Sequence, residues 1–80
     1  MDNKTRLLNC FRTVFPGVED AELIGASTAT LAAWDSVAAI TLANVIEEEF
    51  QVEVEYEVLP ELTSFQAVLD YLASKDRSHA

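Results

Sequence analysis

The sequence predicts an all-α fold: a small bundle of three to four helices, with a long loop between the first and second. Three observations carry this. The chain is 80 residues long and half hydrophobic, enough for a single domain with a modest core. Its apolar residues recur at helical spacing in three separate segments. The one stretch with strand-like alternation has no second strand to pair with.

The first helix is predicted over Asn3–Phe15, where Leu7, Cys10, Phe11, Val14 and Phe15 form one apolar stripe and Pro16-Gly17 ends it. Cys10 lies on that stripe and reads as a small core residue, with no second cysteine for an internal disulfide. Residues 16–34 show no sustained periodicity, and Gly25 with the Ser27–Thr30 cluster indicates a loop. A loop of that length needs anchors or a function. Leu23, Ile24, Leu31 and Trp34 are the candidate anchors, with a short helical turn around Ala21–Ile24.

The second main helix is predicted from Ser36 to about Phe50, with Asp35 as its N-cap. At about 100° per residue, Ala39, Leu42, Ala43, Ile46 and Phe50 share a face with Ile40 at its edge. Thr41, Asn44, Glu47 and Glu48 take the other side, and Val37 falls with them, away from the core. Val52, Val54, Tyr56 and Val58 then alternate with glutamates; without a partner strand this segment reads as an extended loop into a short helix near Tyr56–Leu62. Thr63 and Gln66 suggest a capping box for the last helix, whose stripe is Phe65, Val68, Leu69 and Leu72. The tail Lys75–Ala80 is expected to fray, and the whole of 1–80 is read as one domain.

Charge narrows the function classes. The net charge is −9, and of the fourteen acids all but Asp2 and Asp76 lie in 13–74, an interval of twelve acids with no Lys or Arg. That argues against nucleic acid, whose phosphates need basic side chains, and favours a basic protein partner. No apolar run approaches the roughly 20 residues of a bilayer span, and the N-terminus lacks the pattern of a signal peptide. A cytoplasmic chain that does not engage membranes is the expectation.

Catalysis by this chain is not expected. Ser36 as a nucleophile would need a base in reach, and the one histidine, His79, lies near the chain end. Metal ligation is not expected either. The glutamate runs lack the ligand spacing of a calcium loop and read as a solvated acidic face. By residue pattern alone the chain is an acidic helical module whose helix starts at 35–36.

The stretch Trp34-Asp35-Ser36-Val37, leading into a helix that closes Ile46-Glu47-Glu48-Glu49-Phe50, resembles the acyl carrier, or phosphopantetheine-binding, family. It is similar to that family's Asp-Ser-Leu signature and acidic helix end, and the likeness in size, loop position and capped last helix extends over nearly the whole chain. The resemblance implies that Ser36 carries 4′-phosphopantetheine, derived from coenzyme A, with Asp35 beside it. It implies an acyl thioester cargo of fatty-acid, polyketide or related biosynthesis. The implied partners are a phosphopantetheinyl transferase and acyl-loading and acyl-processing enzymes with basic patches, met by a monomer through Asp35, Val37, Thr41, Glu47 and Glu48. Ala33 stands where a glycine commonly precedes the signature, and Ala38-Ala39-Ile40-Thr41 where housekeeping carriers usually show acids, so a specialised stand-alone member is implied. Ala39, Leu42, Ala43, Ile46, Leu62 and Leu72 either line a space for an acyl chain or form plain core. The competing class is a non-carrier docking module, in which Ser36 only starts a helix and the acidic face binds a basic protein.

Overall fold

In the computed structural model, which describes residues 2–78 and the side chains of 2–75, four α-helices and one 3₁₀ helix follow in order. They are α1 (Asn3–Val14), α2 (Asp20–Ile24), α3 (Ser36–Phe50), the 3₁₀ helix (Tyr56–Glu61) and α4 (Phe65–Ser78). The described residues contain no strand, only an isolated antiparallel bridge between Ser27 and Ser64. The fold is a small all-α bundle, as the periodicity predicts.

Helix α1 starts where the Asp2 carboxylate accepts the Thr5 N–H at 2.8 Å, and its predicted stripe turns inward. Leu7, Cys10, Phe11 and Phe15 are buried. This helix is the hub of the fold, packing against α2, α3 and α4. Gly17 then supplies a φ of +99° for the turn out of it, a conformation that costs glycine nothing.

The long connection is more ordered than its sequence suggests. Leu23 and Trp34 are buried as expected, and Leu31 packs against the core from a half-buried position. Ile24 does not serve as an anchor; it is exposed, and Ala26 takes a buried place instead. In so short a helix, turning Leu23 inward swings its neighbour about 100° away. The rest of the loop is held by the Ser27 and Thr30 hydroxyls, which bond each other's backbone. It is also clamped to the start of α4: the Thr28 N–H donates to the Thr63 carbonyl at 2.8 Å and the Phe65 N–H to the Ala26 carbonyl at 3.0 Å.

On α3 the buried face is Leu42, Ala43 and Ile46, flanked by half-buried Ala39 and Phe50. The helix ends without a glycine. Gln51 adopts the left-handed conformation at φ +56°, its N–H bonds the Glu47 carbonyl at 3.0 Å, and its side chain caps the Glu48 carbonyl at 2.8 Å. Two expectations for α4 need correction. The capping residue, directly before Phe65, is Ser64, whose hydroxyl accepts the Ala67 N–H at 3.0 Å; Thr63 contributes its backbone carbonyl to the clamp with Thr28. The segment from Lys75 onward does not fray where described, since α4 runs through Ser78. Lys75 closes on Glu55 at 3.5 Å and lies 5.3 Å from the centre of the Tyr71 ring. His79 and Ala80 lie outside the described residues.

The flanking cations also reach inward. Arg6 pairs with Glu49 at 3.0 Å and stacks on Phe50. Arg12 holds both carboxylate oxygens of Asp20 and keeps that carboxyl below the usual range by hydrogen bonding. Among the described residues, three acids of the central interval, Asp20, Glu49 and Glu55, are therefore paired from the two chain ends.

Candidate functional site

Ser36 is the first residue of α3, and the local chemistry fixes it there. Asp35 sits in extended backbone, its carboxylate accepting the Ala38 N–H at 2.9 Å and its carbonyl the Ala39 N–H at 2.9 Å. Such a cap contributes about 0.5–2 kcal/mol. The amides of Ser36 and Val37 have no acceptor within the helix, so Ser36 stands at the positive end of the helix dipole. Ser36 is exposed.

Two residues before Ser36 the chain is anchored. Trp34 is only 4% exposed, its ring perpendicular to that of Phe11 and beside Phe15. The serine thus stands in solvent, two residues from the middle of the aromatic core.

An open groove of about 470 Å³ begins at Ser36. Asp35, Ser36, Ala39 and Ile40 form one wall, Tyr56, Leu59 and Pro60 of the 3₁₀ helix another, and Thr28, Trp34 and Thr63 complete it. Thr28, Tyr56, Pro60 and Thr63 are not identifiable as site residues from sequence. They reach Ser36 only because the Thr28–Thr63 clamp and the 3₁₀ helix bring two loops together. The nearest signal is the Ser27–Thr30 cluster, which marks an ordered turn but not its neighbour.

Trp34, Ala39 and Leu59 also line a second space, deeper between α3, the 3₁₀ helix and α4. All six residues predicted for an acyl space line it: Ala39, Leu42, Ala43, Ile46, Leu62 and Leu72. Its volume is about 10 Å³, no more than one water needs. Here these residues are packed core.

The residues predicted to meet partners divide into groups. Asp35 and Ser36 share the groove. Val37 is 72% exposed, the most outward apolar side chain of α3. Thr41, Glu47 and Glu48 border a shallow depression further along the helix, Glu48 about 18 Å from Ser36 at 1.5 Å per residue. Glu47 also has a task of its own: its carboxylate accepts the Val54 N–H at 2.8 Å, holding the strand-like segment against α3. Glu48 and Thr41 are exposed, although the Thr41 hydroxyl donates to the Val37 carbonyl at 3.1 Å.

Among the described residues no group of three or more His, Cys, Asp and Glu side chains is arranged to hold a metal ion, and no helix is long and apolar enough to cross a membrane. Comparison of the chain with protein-family models, curated proteins and solved structures finds no match in any of the three. What the described residues define is a small acidic all-α bundle with an exposed serine at the head of the fifteen-residue helix α3.

Proposed function

We propose that this chain is an acyl carrier protein, with Ser36 joined through its hydroxyl oxygen to 4′-phosphopantetheine. The observation that carries the reading is Ser36 itself, exposed as the first residue of α3 at the mouth of a 470 Å³ groove. When attached, the prosthetic group supplies a thiol that holds an acyl intermediate of fatty-acid, polyketide or related biosynthesis as a thioester.

The residues present fit such a group. A phosphodiester on Ser36 stands at the N-terminus of a fifteen-residue helix, next to amides without intrahelical acceptors, where an anion is stabilised. Asp35 spends its carboxylate on the Ala38 amide, which fixes the turn and leaves the serine side chain free of the cap. The groove beside Ser36 mixes apolar walls with the hydroxyls of Thr28 and Thr63, a lining suited to an arm of alternating methylenes and amides.

The chain does no chemistry of its own in this reading. It presents cargo and raises its effective concentration at each partner. A Mg²⁺-dependent phosphopantetheinyl transferase and acyl-processing enzymes approach the acidic side of α3, and the net charge of −9 steers their basic patches toward it. Exposed Val37 supplies the apolar contact at that encounter.

The test is transfer from a fluorescent coenzyme A conjugate by a promiscuous transferase. The wild-type chain takes the label and Ser36→Ala does not. A chain that binds a basic partner equally well with and without Ser36, and is never labelled, is a docking module instead.

A further inference from the structure

We propose that the indole N–H of Trp34 is a hydrogen-bond donor for cargo, selecting an acyl chain with a carbonyl oxygen close to the thioester over a plain hydrocarbon chain. The inference rests on the carrier reading and deepens it by naming a substrate class.

Trp34 is 4% exposed, and its Nε1 is fully buried with no hydrogen-bond partner. Buried donors are almost always paired, and one left unpaired keeps its whole desolvation cost. Its position turns this from a packing oddity into a recognition feature. Trp34, Ala39 and Leu59 are the residues shared by the groove at Ser36 and the small core cleft. They form the partition that a chain tethered at Ser36 meets when it turns inward.

Everything else on the core side of that partition is apolar apart from Tyr71. A hydrocarbon chain crossing it would leave the indole N–H unpaired among dry neighbours. A chain with an oxo group a few bonds beyond the thioester would place an acceptor in the same region and relieve the orphaned donor. Sites built around such a donor discriminate strongly against analogues that lack the acceptor. The arm has amide carbonyls of its own, but it occupies the open groove, where water reaches it, whereas Nε1 has no exposed surface.

Trp34 is the one tryptophan in the chain, so a single indole resonance reports on the donor. Four forms are compared by ¹H–¹⁵N spectroscopy: unmodified, arm alone, arm with a hexanoyl chain, and arm with a 3-oxohexanoyl chain, both chains as stable amide analogues. Intact mass first verifies that each form is loaded. The expected result is a downfield move of the indole proton in the 3-oxo form only. In Trp34→Phe, the extra melting temperature that the 3-oxo chain confers over hexanoyl disappears. An indole resonance that is the same in both acyl forms, including one already shifted by the arm alone, overturns the proposal while leaving the carrier reading intact. A chain that takes no arm at all overturns both. Should Trp34→Phe fail to fold, the wild-type spectra decide.

Discussion

Trp34 meets Phe11 edge-to-face, with ring centroids 5.3 Å apart and planes at 85°. Phe11 packs in turn against Phe65 of α4, centroids 5.0 Å apart and planes tilted by 58°, so one aromatic cluster ties α1 and α4 to the residue that precedes Asp35-Ser36. An exposed site is thereby fixed by a buried anchor. Truncating a large buried aromatic costs about 3–5 kcal/mol. Trp34→Ala is expected to lose that much in denaturant unfolding, and Trp34→Phe distinctly less. A loss below about 1 kcal/mol for Trp34→Ala would show that the cluster does not hold the site.

Glu47 and Glu48 are neighbours in sequence with different tasks. Glu47→Ala removes the acceptor of the N–H of buried Val54 and is expected to cost about 1–3 kcal/mol, whereas Glu47→Gln keeps an acceptor and most of the stability. Exposed Glu48→Ala should change stability by no more than about 0.5 kcal/mol. Its effect falls on the association rate with a basic transferase and on the salt dependence of that rate. Stopped-flow association alongside urea unfolding separates the two. Equal stability losses at 47 and 48 would refute the assignment.

Cys10 is buried, and desolvation, with the nearby Glu49 charge adding to it, pushes its thiol from 9.0 up to about 11. The folded state therefore holds the proton more tightly than the unfolded state does. The sign follows from linkage: between about pH 9 and 11 the native chain binds more protons, so stability is full below that window and falls as pH rises through it. Urea midpoints measured from pH 8 to 11 should fall more steeply for wild type than for Cys10→Ala. Iodoacetamide should modify the native thiol far more slowly than the unfolded one. Parallel midpoint curves would contradict the burial argument.

What was legible in the sequence is what is local. The stripe Leu7, Cys10, Phe11, the Asp35 cap and the outward Val37 all follow from residues within one or two turns of each other. The cap of α4 falls one residue later than the Thr63–Gln66 spacing suggests because Thr63 and Ser64 are adjacent hydroxyl residues, and only the point where the helix starts, at Phe65, selects Ser64. A direct check follows. Ser64→Ala is expected to cost about 1 kcal/mol and Thr63→Ala markedly less, since Thr63 contributes a backbone carbonyl to the clamp. The reverse order would restore Thr63 as the cap. The groove escaped the sequence for another reason. Ser36 and Asp35 announce themselves as a pair, but Thr28, Tyr56, Pro60 and Thr63 join them only through tertiary contact. The role of Glu47 as an acceptor for Val54 is likewise hidden, because an acid on a polar face has the same pattern whether it is solvated or bonded.

The central claim is that Ser36 is a tether, and mass is its most direct measure. The chain is produced with a co-expressed phosphopantetheinyl transferase, its intact mass is taken, and the modified peptide is fragmented. The account predicts a gain of one phosphopantetheinyl group, located on Ser36 and absent from Ser36→Ala. An unchanged mass with several transferases, or a gain that persists in Ser36→Ala, would contradict it.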